Sequence, residues 1–155
     1  MRWWTPAALV LVASACGSAG GAEFAAGGAW ARPTPAGASD GVVYLTVSTD
    51  EPDELVGASV AGVVAREAQL HMTSVGDEDH SHHGGAGAAS VSMGDVESIP
   101  LAAGATVVFE PGGSHIMLVG LAAPLQRGST FMVALEFASG RVLDTEVVVA
   151  DNPPG

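Results

Sequence analysis

A chain of 155 residues provides for one domain with a real core. Seventeen acidic residues stand against five arginines, a formal charge of -12, so attraction to nucleic-acid phosphates or to anionic lipid has no electrostatic basis and a polyanion-binding role is set aside. Hydrophobic content of 48%, together with 21 glycines and 9 prolines, suits a compact, turn-rich β protein and argues against a disordered chain.

The first sixteen residues, MRWWTPAALVLVASAC, carry one positive charge, a short apolar run and small residues before a cysteine, which is the pattern of an export signal. The apolar run is too short for a membrane span. Residues 1–15 are therefore read as a signal peptide. Ala13-Ser14-Ala15 can serve ordinary signal peptidase, while Cys16 directly afterwards resembles the lipid-modified cysteine of a bacterial lipoprotein, with Ala13 where leucine usually stands. Two destinations are open: a lipoprotein held through Cys16 on the outer face of the cytoplasmic membrane, or a cleaved and freely secreted protein. Cys16 is the only cysteine, so no intrachain disulfide and no thiolate are available to the folded domain. Residues 16–28, mostly Gly and Ala, read as a flexible tether. The domain is expected over 29–150, with 151–155 as a tail.

From Ala29 onward, short apolar runs alternate with Gly, Pro, Asp and Ser. The runs are VVYLTVST at 42–49, ELVGASV at 54–60, VVAREAQLHMT at 63–73 and VSMGDVESIPL at 91–101, followed by TVVFE, HIMLVGL, TFMVALEF and RVLDTEVVVA. Eight such segments without helical periodicity predict an all-β fold, an antiparallel Greek-key β-sandwich. Residues 74–90, SVGDEDHSHHGGAGAAS, break the rhythm. They are polar and glycine-rich, and read as a long exposed loop between two strands.

Two strands carry side chains that a purely structural strand does not need. His115 and Met117 lie two residues apart, so both point to one face, while Ile116 and Leu118 face the core. In REAQLHMT, alternation sets Leu70 and Met72 on one face and Glu67, Gln69 and His71 on the other. Met72 reads either as a filler of irregular core space or as a further donor. Met93 opens the strand after the loop. Thioether sulfur is soft and uncharged and favours Cu(I), and imidazole binds copper in either oxidation state. A His/Met set thus selects copper. In an oxidising compartment it also avoids the disulfide chemistry open to a thiolate, although methionine can still be oxidised to the sulfoxide. The missing cysteine argues against a blue-copper electron carrier. Neither an H-E-x-x-H pattern nor a G-x-S-x-G turn is present.

The order AWARPTPAG, VVYLTV, LVGASV, EAQLHM, a later methionine, PGGSHIMLVGL and FASGRV resembles the periplasmic copper chaperone family called PCuAC, over about residues 29–149. In that family a histidine, often followed by methionine, precedes a second methionine and then H-x-M. Here His71-Met72, Met93 and His115-Ile116-Met117 follow that order, and the interval 94–114 matches the family's. The interval 73–92 is about twice as long as the family's, and its surplus falls in the histidine-rich loop, where insertion costs little closure entropy. The resemblance implies a cupredoxin-like β-sandwich that binds one Cu(I) through His71, Met93, His115 and Met117. It further implies delivery of the copper to a respiratory oxidase subunit or its assembly factor, without catalytic turnover. His80, His82 and His83, beside Asp77, Glu78 and Asp79, form a nitrogen and oxygen cluster suited to a separate, harder site for Cu(II) or Zn. The competing readings are a copper buffering or resistance protein with the same ligands, and a structural β-sandwich lipoprotein that binds no metal.

Overall fold

The computed structural model describes residues 23–75 and 91–154. The export signal, Cys16 and the loop histidines His80, His82 and His83 lie outside them. Ten strands are formed: β1 Phe24–Ala31, β2 Asp40–Thr49, β3 Asp53–Val60, β4 Ala65–Val75, β5 Val91–Asp95, β6 Ile99–Leu101, β7 Thr106–Phe109, β8 His115–Leu121, β9 Thr130–Phe137 and β10 Val142–Val149. No helix occurs among the described residues.

In the sheet, β4, β8, β2, β1, β10, β9 and β3 lie side by side in that order. Ala58 on β3 also meets Ala68 on β4, which closes the path on itself around one core. β5 extends the sheet beyond β4, β6 lies beside β3, and β7 pairs with the far half of β2. Neighbours in space are mostly not neighbours in sequence, which is the Greek-key habit of crossing connections. One pairing departs from the expected antiparallel pattern: β1 and β10 run parallel, with Trp30 opposite Val148.

The core follows from alternation. Val43, Val47, Leu55, Ile116, Leu118, Val133, Leu135 and Val147 are completely buried. Each contributes about 1.5–3 kcal/mol by leaving water. Ile116 and Leu118 together therefore commit β8 to one register, because a slip of one residue would expose both and drive His115 and Met117 into hydrocarbon.

Three expectations from the sequence need correction. The tether does not reach residue 28: β1 begins at Phe24 and pairs with β2 from Phe24–Thr49 to Ala31–Val43. The glycines there serve a β-bulge. The register shifts between Gly27 and Trp30, and Gly28 takes φ 59°, a conformation that costs glycine little. Phe24 fixes the strand by packing edge-on to Phe137 at 4.6 Å, with the Arg141 guanidinium 4.8 Å from its ring centre. Second, the run 91–101 is two strands, since the chain leaves β4 after Asp95 and joins β3 at Ile99. Third, β4 continues to Val75, two residues into the segment read as loop.

Candidate metal centre

The outer face of β4 and β8, opposite the core, brings His71 and His115 together. The turn before β8 is built for this. Gly112 sits at φ 85°, in the left-handed region that disfavours other residues, and the Gly113 N–H donates to the Glu110 carbonyl at 2.9 Å. The Gly113 carbonyl then accepts two donors: the Thr73 hydroxyl of β4 at 3.0 Å and His115 Nδ1 at 3.0 Å. A carbonyl can only accept, so His115 carries its proton on Nδ1 and leaves the Nε2 lone pair for a ligand.

His71 is directly opposite His115 across the β4–β8 ladder. Opposed residues of an antiparallel pair share a face, and the two half-buried rings lie 5.3 Å apart between centroids, inclined by 35°. His71 Nε2 lies 3.3 Å from Gln69 Oε1, and Gln69 Nε2 donates to Glu67 Oε1 at 3.0 Å. Thus Glu67, Gln69 and His71, at alternate positions on β4, form a hydrogen-bonded row that ends at the imidazole.

The methionines divide. Met117 is opposite Gln69 and two residues beyond His115, on the histidine face and half-buried. Position 93 is opposite Thr73 across the β4–β5 ladder, while Asp95 is opposite His71. The backbone positions of Met93 and Met117 therefore flank the His71–His115 pair diagonally, one on each side. Met72 faces the other way and packs against the core beside the buried Leu70. This is the filler role of the two readings open from sequence. It sits across the sheet from the histidine pair.

Among the described residues, no three of His, Cys, Asp and Glu come together as a metal cage. Two imidazoles alone do not complete a site; among the described residues, thioether sulfur is a further donor type on this face, from Met117 and from position 93. A depression between β3, β4 and the end of β5 is lined by Gly57, Glu67, Gln69, Asp95 and Glu97, and Asp95 is opposite His71 across the β4–β5 ladder. Its carboxylates set a negative potential beside the pair, which raises the local concentration of cations. Strand alternation places Glu67 and Gln69 on the histidine face but assigns them no task, and nothing local in the sequence marks Thr73 or the Gly113 carbonyl as part of the site. The available signal was a run of polar residues at period two on a strand whose other face is core.

Comparisons with known proteins bear on the family and the fold. A family model, "Putative lipoprotein LpqE-like", matches residues 25–149. The solution structure of CuI-DR1885 from Deinococcus radiodurans is 31% identical, covers 81% of this chain and 76% of its own, and superposes with a TM-score of 0.59. A copper-bound PCuAC domain from PmoF2 is 24% identical, covers 83% of this chain and 93% of its own, and gives a TM-score of 0.62, a likeness of fold. The cupredoxin-like, all-β expectation is thereby met. "Putative lipoprotein Lxx21020" of Leifsonia xyli subsp. xyli (strain CTCB07) is 49% identical over 49 residues. That match spans 32% of this chain and only 30% of the relative.

Proposed function

We propose that this chain, which belongs to the LpqE-like family and has the fold of PCuAC domains, is an extracytoplasmic copper chaperone. It takes up one Cu(I) through His71, His115, Met93 and Met117 and hands it to an acceptor, a respiratory oxidase subunit or its assembly factor. The carrying observation is the His71–His115 pair, its rings 5.3 Å apart on a solvent-facing sheet surface. The methionine positions flank it, and no third His, Cys, Asp or Glu joins it among the described residues. A soft, neutral donor set of this kind suits Cu(I) over zinc or the harder divalent ions. Half-burial leaves His71, His115 and Met117 within reach of a partner, as transfer requires. Relatives whose names state bound copper support the reading.

Cys16 carries the lipid in this reading, and the residues between it and Phe24 let the acidic domain search the membrane surface for its acceptor. Recovery of Cys16→Ser in the membrane fraction at the wild-type level would contradict the anchor. The loop histidines His80, His82 and His83 form a second, weaker site that takes Cu(II). Deleting residues 77–86 removes that Cu(II) binding and leaves Cu(I) uptake intact.

The test of the main site is anaerobic titration of the mature domain with Cu(I), with X-ray absorption to count nitrogen and sulfur donors. One equivalent with both donor types is expected, and His115→Ala with Met117→Ala should abolish it. A spectrum without sulfur, or undiminished binding by the double variant, refutes the site. Passage of Cu(I) to an oxidase copper domain separates a chaperone from a storage protein, which would retain the metal.

A further inference from the structure

Copper uptake by a histidine requires one ring nitrogen to be free of its proton, and the two histidines of this face are wired differently. His115 gives its Nδ1 proton to the Gly113 carbonyl at 3.0 Å. His71 has no carbonyl in that place. Its Nε2 meets Gln69 Oε1 at 3.3 Å, and an amide presents either an oxygen or an NH2 group depending on which way it is turned. What decides the turn is Glu67. An ionised carboxylate is acceptor-only, so the end of Gln69 that meets Glu67 Oε1 at 3.0 Å has to be the NH2 group. The oxygen is then left for His71, and an oxygen accepts only from a protonated Nε2.

Resting on the copper reading above, we infer that Glu67 and Gln69 are positioning residues that select the nitrogen with which His71 takes the metal. His71 binds through Nδ1 and His115 through Nε2. The relay reads the charge on Glu67 and converts it, through one amide, into a fixed tautomer and ring orientation at His71. Partners of this kind around metal-ligating histidines tune affinity by about 10–100-fold. Glu67 is exposed and Gln69 half-buried, so neither is needed to fill the core.

The tautomers are read directly from long-range proton–nitrogen NMR spectra of the metal-free domain, at a pH above the imidazole range. His71 is expected as the Nε2–H form and His115 as the Nδ1–H form. Glu67→Gln frees the amide to turn and should convert His71 to a mixture while leaving His115 unchanged, and Gln69→Leu should do the same. The exchanged pair Glu67→Gln with Gln69→Glu sets a carboxylate against His71 and should restore the single Nε2–H form, which a merely structural role for Gln69 would not do. With Cu(I), or with Ag(I) as a soft diamagnetic probe, the metal should perturb Nδ1 of His71 and Nε2 of His115. Gln69→Leu should lower Cu(I) affinity about tenfold. An Nδ1–H tautomer for His71 in the wild type, or a tautomer indifferent to both single variants, overturns the relay whether or not copper binds. Failure of the wild-type domain to bind Cu(I) overturns the function and the ligand assignment together, even if the tautomers are as expected.

Discussion

Replacing Thr73 with valine tests how β4 holds the turn that aims His115. The two side chains have nearly the same shape and both favour strands, so the substitution removes the hydroxyl with little change in packing. Thr73 Oγ1 donates to the Gly113 carbonyl at 3.0 Å, across a sequence separation of 40 residues. That carbonyl has a second donor in His115 Nδ1. Loss of Thr73 therefore does not orphan a buried acceptor, which would cost about 1–3 kcal/mol. The expected cost is the net worth of one hydrogen bond, about 0.5–1.5 kcal/mol. For a domain of this size that lowers Tm by about 2–6 °C. The turn is then tied to β4 by fewer contacts, and His115 loses part of its aim, so Cu(I) affinity should fall by up to about tenfold. Calorimetry of the metal-free variant gives the first quantity, and competition with a coloured Cu(I) chelator gives the second. Thr73→Ser, which keeps the hydroxyl, should sit much closer to wild type in affinity. If Thr73→Val matches wild type in both measurements, the hydrogen bond does not position His115. A loss of about 2–3 kcal/mol would mean that the Gly113 carbonyl was left without a donor, and that His115 is not bonded to it.

Two other perturbations probe the frame around the site. Gly120 has φ 69°, and a Cβ added there meets the Arg66 guanidinium; because Arg66 can swing away, Gly120→Ala should cost about 1–2 kcal/mol of backbone strain, and equal urea midpoints for variant and wild type would refute this. Asp53 accepts the N–H groups of Glu54 at 2.8 Å and Ser139 at 3.2 Å. The Ser139 hydroxyl first, then these two amides and the nearby Arg141 charge, hold its carboxyl below the ordinary value of 3.8. A depressed carboxylate stabilises the fold above its unfolded pKa and loses that contribution as pH falls through its folded value. The stability gap between wild type and Asp53→Asn should thus be constant near neutral pH and close in acid below the ordinary carboxylate range, whereas a gap independent of pH would dispose of the argument.

Much of the fold could be read directly from the chain because its signals are local. HIMLVGL and TFMVALEF match β8 and β9 residue for residue, since apolar side chains at period two next to glycine turns leave few other options. β1 was not legible. FAAGG offers almost no side chain to pack, and its place in the sheet comes from hydrogen bonds to a β2 strand some twenty residues away. Nor could a local pattern say that β1 would run parallel to β10, because that depends on how the two chain ends meet once the sheet has closed.

The candidate site divides along the same line. Alternation alone determined that His71 and Gln69 share a face, that His115 and Met117 share another, and that Ile116 and Leu118 turn inward, because the pleat of a strand leaves no choice. Only the tertiary structure decided that these faces are one surface, with His71 opposite His115 and position 93 completing the row from β5. Register between β4 and β8 is set by burial of Leu70 beside Ile116, a long-range packing choice with no local signature. The proton on His115 likewise depends on the Gly113 carbonyl, and that carbonyl's direction depends on a left-handed Gly112 and on a threonine from a distant strand. The identities of the donors were written in the chain; their convergence required the sheet to close.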